Sequence, residues 1–174
     1  MAKQNSRGFT LIELVVILGI TTLLTAVLIT YSRTGEKQIR LFRDQASAVN
    51  AILRAKSLAI QTQLNNPPTG GKICGYGVHF EETRYIIFRD LVTGMNCAIS
   101  DQIYSGPDEI FETKELAEGN YFKDLVLSDI LFIPPDPRTV LNPPTLEAKL
   151  TLGAREENLS VEILVNNFGQ VSTP

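Results

Sequence analysis

From Leu14 to Ser32 the chain carries no charged side chain, and no other feature restricts what it can become as strongly. As a helix, those roughly 19 positions rise roughly 28 Å, enough to cross the hydrocarbon core of a bilayer. Lys3 and Arg7 stand just ahead of the run. Their charge predicts a cytoplasmic N-terminus, with everything after Ser32 on the far side of the membrane. A secretory signal places its apolar stretch before a small-residue cleavage site and loses it on processing. Here the order is reversed, because the small residue Gly8 precedes the apolar run.

The stretch Arg7-Gly8-Phe9-Thr10-Leu11-Ile12-Glu13-Leu14-Val15 resembles the type IV prepilin family, whose signature is a short basic leader ending in glycine and then Phe-Thr-Leu-Ile-Glu opening an apolar helix. The resemblance implies a prepilin peptidase that cuts between Gly8 and Phe9, and N-methylation of the new amine on Phe9. It further implies an inner-membrane assembly platform and other pilin or pseudopilin subunits as partners. The chain would be a single-pass cytoplasmic-membrane protein before assembly, and part of a surface pilus or periplasmic pseudopilus afterwards. Gly8 suits such a cut because no side chain hinders approach to its backbone. Glu13 carries the clearest physical argument: an acid inside an apolar helix costs roughly 2.5 kcal/mol or more in a membrane and therefore needs a partner. In this family the matching glutamate faces the N-terminal amine of a neighbouring subunit, which Phe9 would supply. Many family members have a proline late in the segment. This chain has none before Pro67, leaving Gly19 and Gly35 as the weak points of the helix.

Beyond Ser32, Ile39, Phe42, Ala46, Val49, Leu53 and Ile60 recur at three- and four-residue steps, predicting an amphipathic helix that packs this stripe against a sheet. Asn65, Asn66, Pro67 and Pro68 end it, so one helix is expected over 9–64. The period then becomes two. Ile73, Gly75, Gly77 and His79 alternate with Cys74, Tyr76, Val78 and Phe80, and Arg84 to Arg89 complete a hairpin. Further strands are expected at 109–116, 125–132, 146–152 and 160–165, the last turning through Asn166 and Asn167 towards Val171. The fold class is α+β: a long N-terminal helix packed on an antiparallel β-sheet, which is also the pilin architecture. The expected organisation is a leader at 1–8, a transmembrane and filament-core helix at 9–32, an amphipathic spine at 33–64 and a β-rich globular head at 65–174. The hairpin with Gly-Tyr-Gly-Val and the terminal Asn-Phe-Gly-Gln-Val resemble, more loosely, the H-type minor pseudopilins of type II secretion and the FimT-like minor pilins.

A chain of 174 residues with 44% apolar content can bury one ordinary core. Net charge of −3 argues against a basic nucleic-acid surface. Some FimT-like minor pilins bind DNA through basic residues near the C-terminus, but Asn166 to Pro174 contains no Lys or Arg. Outside the cytoplasm Cys74 and Cys97 suit a disulfide; the alternative is two buried thiols, and no four-ligand set favours metal ligation. His79 has no neighbouring nucleophile to activate and reads as a structural residue. Asp90, Asn96 and Asp101 offer oxygens for calcium, but their spacing fits no EF-hand and solvated loop residues are the default. The prolines at 134, 135, 137, 143 and 144 are expected to frame a stiff loop and to keep an edge strand from pairing promiscuously. No catalytic residues stand out. The expected function is a structural subunit, a minor pilin or pseudopilin; the alternative is a filament-tip adhesin or DNA-uptake module on the same anchor.

Overall fold

A computed structural model describes residues 10–61, 71–94, 96–135, 138–155 and 159–174, without the side chains of 30–34. The chain divides into two compact units at Gln38/Ile39. Helix α1 spans Leu11–Gln61, running through Gly19 and Gly35 without interruption. Its end precedes a run of residues outside the described set, where the expected stop at Asn65 to Pro68 also lies.

In the unit beginning at Ile39, the strands among the described residues form two antiparallel sheets. The first contains β1 (Lys72–Phe80), β2 (Arg84–Val92), β3 (Ile110–Glu115), β5 (Asp129–Ile133) and β6 (Arg138–Asn142), in the order β3-β2-β1-β5-β6. The second contains β4 (Asn120–Lys123), β7 (Glu147–Ala154), β8 (Ser160–Asn166) and β9 (Val171–Ser172), in the order β4-β7-β8-β9. The α+β class is as expected. β4 and β6 were not: each is short, and neither has enough alternating positions to announce itself. Strand β5 starts at Asp129, four residues after the expected start at 125. β6 is an edge strand, with Pro134 and Pro135 in the turn before it and Pro143 and Pro144 directly after it, the framing expected of these prolines; Pro137 lies outside the described residues.

Residues from α1 and both sheets share one core, in which Leu41, Ile52, Val78, Ile130, Phe132, Leu152, Ile163 and Val165 are fully buried. Phe80 of the first sheet meets Phe122 of the second edge to face at 5.3 Å between ring centroids. Of the expected stripe, only Val49 packs against the core. Leu41, Ala48, Ala51, Ile52, Ala55 and Ala59 face the sheets, while Ile39, Phe42, Leu53 and Ile60 are 48–69% exposed. The alanines explain the inversion, because helix-to-sheet distance follows the size of the side chains between them. A face of small residues lets the backbone settle close, and polar side chains can then reach across. Asp44 Oδ2 accepts from Ala117 N at 2.8 Å and Asn120 Nδ2 at 2.7 Å. Gln45 Nε2 donates to Glu162 O at 2.8 Å, and the Ser47 and Tyr85 hydroxyls are 2.7 Å apart.

A second, smaller cluster covers the other face of the first sheet, where Ile86, Phe88 and Leu131 are buried beneath Tyr104. Gly77 makes room for it: a Cβ there would stand 2.5 Å from the Phe88 ring and 2.6 Å from Ile130 O. The alternation in β1 also shifts once. A register irregularity between Ile73 and Gly75 moves Ile73 from the glycine side, where simple alternation puts it, into the main core with Tyr76, Val78 and Phe80.

Candidate assembly site

Thr10 is the residue before the first turn of α1, and Glu13 lies in that turn. Thr10 N and Oγ1 donate to Glu13 Oε2 at 2.8 and 2.9 Å, and Glu13 N donates back to Thr10 Oγ1 at 3.3 Å. This is a reciprocal capping box, which satisfies amides that a helix start otherwise leaves open. The Thr-x-x-Glu spacing announces it, and reading Glu13 only as a partner for another chain overlooks this local role. Glu13 Oε1 has no hydrogen-bond partner among the described residues. Gly8 and Phe9, the expected processing and methylation positions, lie outside the described residues.

The helix that follows is long and apolar enough to cross a membrane over Leu11–Ile29, 19 residues of which none is buried by the protein itself. The hydroxyls of Thr21, Thr22 and Thr25 are satisfied within the helix. Thr21 and Thr22 donate to Leu18 O at 3.0 Å, and Thr25 donates to Thr21 O at 2.7 Å. Hydroxyls bonded to the preceding turn make no demand on a lipid or protein neighbour. What remains is an apolar surface with one acid at its start. Separately, α1 in the second unit exposes the larger apolar side chains Ile39, Phe42, Leu53 and Ile60, which no other described residue covers.

The other expected site residues have structural roles. Cys74 and Cys97 form a disulfide with a sequence separation of 23, tying the 93–109 loop to β1. His79 Nδ1 lies 2.8 Å from Asp129 Oδ1, and its ring lies 4.8 Å from that of Tyr104. Burial pushes the Asp129 carboxyl upward, but hydrogen bonds from His79, Ser128 and Asn142 outweigh it and hold the group below its ordinary value. The calcium candidates are engaged elsewhere: Asp90 is buried and bonded to Ser100 Oγ, Asn96 caps the turn Cys97–Ile99, and Asp101 accepts from the Ser105 hydroxyl. Among the described residues, no group of three or more His, Cys, Asp or Glu side chains is placed to hold a metal ion.

An exposed apolar helix with an acid in its opening turn, attached to a disulfide-bonded α+β unit, fits a membrane-anchored subunit that hides its helix in lipid or among other helices. Residues 3–29 match the family model described as the prokaryotic N-terminal methylation motif. That match supports membership of the type IV prepilin and pseudopilin family, and points to a structural subunit rather than an enzyme. Such membership implies assembly with other pilin subunits and processing by a prepilin peptidase. Comparison with curated proteins and with solved structures gives no match.

Proposed function

We propose that the chain is a minor pilin or pseudopilin of a type IV pilus or a type II secretion pseudopilus, cut between Gly8 and Phe9, N-methylated at Phe9 and assembled through its N-terminal helix. The observation that carries this reading is the fully uncovered Leu11–Ile29 surface behind a methylation motif. The organisation we assign is a leader at 1–8, a membrane and filament-core helix at 9–32, a helical spine at 33–64 and a globular head at 65–174. In the membrane the head lies outside the cytoplasm, held by the positive charges of Lys3 and Arg7 on the inner side.

Assembly replaces lipid contacts of the helix with contacts to equivalent helices, a step driven by packing rather than by exclusion of water. Glu13 supplies direction. Its free Oε1 meets the methylated amine of a neighbour's Phe9, which offsets the cost of carrying a charge into an apolar environment. The exposed Ile39, Phe42, Leu53 and Ile60 of the second unit offer an apolar surface of their own for packing in a filament.

Mass spectrometry of the protein from its native membrane is expected to show a mature chain beginning at methylated Phe9; a chain still beginning at Met1 refutes the proposal. Glu13→Ala is expected to insert normally yet enter filaments at least about tenfold less efficiently, since an unpaired buried amine is left behind. Equal incorporation beside wild-type subunits removes the role given to the carboxylate.

A further inference from the structure

Strand β7 is paired on one side along nearly its whole length and on the other over only half of it. Glu147 to Gly153 pair with β8, whereas β4 reaches only from Ala154 to Thr151. Hydrogen bonds of Ala154 N to Leu159 O and of Asn167 N to Leu146 O show that the even-numbered residues of this stretch point their backbone groups to β8. By the alternation of an antiparallel ladder, the odd-numbered residues then point to the β4 side. Thr151 and Gly153 meet β4 there; Glu147 and Lys149 have no backbone partner among the described residues. The cause is Asp124, whose φ of 49° lies in the left-handed region and turns the chain away directly after β4.

Among the described residues, no side chain fills the vacated line. A cavity of about 370 Å³ lies along it, bounded by Asp124, Val126, Leu127, Thr145, Glu147 and Lys149, among others. Leu127 is buried and Val126 is 71% exposed, so the cavity has an apolar floor and an apolar rim. Its charges are unbalanced. Lys149 is paired with Glu162 of β8, while the exposed Asp124 and Glu147 have no ion-pair partner among the described residues.

We propose that this open half-edge of β7 binds an extended peptide segment of another polypeptide, which adds as a strand on the line β4 abandons. The segment runs antiparallel to β7, bonding the backbone N–H and C=O groups of Glu147 and Lys149. Because directly opposed residues share a face, it places an apolar side chain inward opposite Ala148 and a Lys or Arg outward opposite Glu147. The occupant is therefore a segment alternating apolar with basic or neutral polar residues. Backbone bonds supply affinity and the alternating side chains supply selectivity, as in strand addition generally.

The test uses the full-length, oxidised chain in detergent and a fluorescein-labelled peptide alternating valine with lysine and threonine, read by anisotropy. Saturable binding is expected. A peptide N-methylated on alternate amides, which keeps the side chains but loses the donors, is expected to bind about tenfold more weakly or worse. A version with glutamate for lysine is expected to weaken similarly. Lys149→Pro removes an N–H on the open side while sparing the β8 ladder, and is expected to abolish binding. Should Lys149→Pro fail to fold, the N-methylated peptide on the wild-type chain decides the matter. Equal binding of the N-methylated or glutamate peptides, undiminished binding by folded Lys149→Pro, or an edge occupied by a second copy of the chain that the peptide cannot displace would each overturn the proposal.

Discussion

Adding one methyl group at Gly77 tests how the two faces of the first sheet are packed. The new Cβ would lie 2.5 Å from Cε1 and Cζ of Phe88 and 2.6 Å from Ile130 O, far inside van der Waals contact. The ring cannot step aside freely, because Phe88 is fully buried. The carbonyl cannot either, because Gly77 and Ile130 lie in the paired stretch of β1 and β5. Overpacking of this kind typically costs about 1–3 kcal/mol, and complete expulsion of a buried phenylalanine about 3–5 kcal/mol. Loss of glycine's freedom in the unfolded chain offsets about 0.4–1 kcal/mol. A net destabilisation of about 2–3 kcal/mol is therefore expected for Gly77→Ala, corresponding to a fall in Tm of roughly 4–12 °C for a protein of this size. Thermal unfolding followed by circular dichroism, on the oxidised protein, measures it. Adding Phe88→Leu in the Gly77→Ala background is expected to recover part of the loss, since the two positions compete for the same space. A Gly77→Ala protein as stable as wild type, or a double variant whose losses simply add, refutes the account.

Replacing both Cys74 and Cys97 by serine is expected to cost roughly 3 kcal/mol, on the chain-entropy estimate for a loop of this size, and reduction of the wild-type protein is expected to lower its Tm comparably. Asp44→Ala leaves Ala117 N and the Asn120 amide without their acceptor at the helix-sheet junction and is expected to cost about 2–4 kcal/mol in denaturant titration. The pH dependence of Tm is expected to have two arms of opposite sign. Burial raises the Asp90 and Glu109 carboxyls above their ordinary values, so the fold holds protons the unfolded chain has released, and stability falls as pH rises from the ordinary carboxylate range through these raised values. Asp129 is held below its ordinary value, so its contribution is lost as pH falls through that lowered value. Asp90→Asn is expected to flatten the upper arm and leave the lower one intact; an unchanged upper arm contradicts the assignment.

The N-terminal segment was legible without a structure because its constraint is local. A run without charge and an acid near its start define what the helix needs whatever the rest of the chain does. The capping box was equally open to reading, since Thr10 and Glu13 are three residues apart on one turn. The α+β class, the β1–β2 hairpin and the framing of an edge strand by prolines also follow from period and turn chemistry. Which face α1 buries did not. Hydrophobicity favoured Ile39, Phe42, Leu53 and Ile60, yet the sheets took the alanine face, because close approach depends on the size of what lies between backbones and on the partners that Asp44 and Gln45 find across the gap. The division into two sheets and the half-open edge of β7 likewise depend on chain segments far apart in sequence, whereas the Cys74–Cys97 disulfide had been expected. Local pattern determines what a segment can be, and only long-range packing decides which of its faces is used and which is left for another molecule.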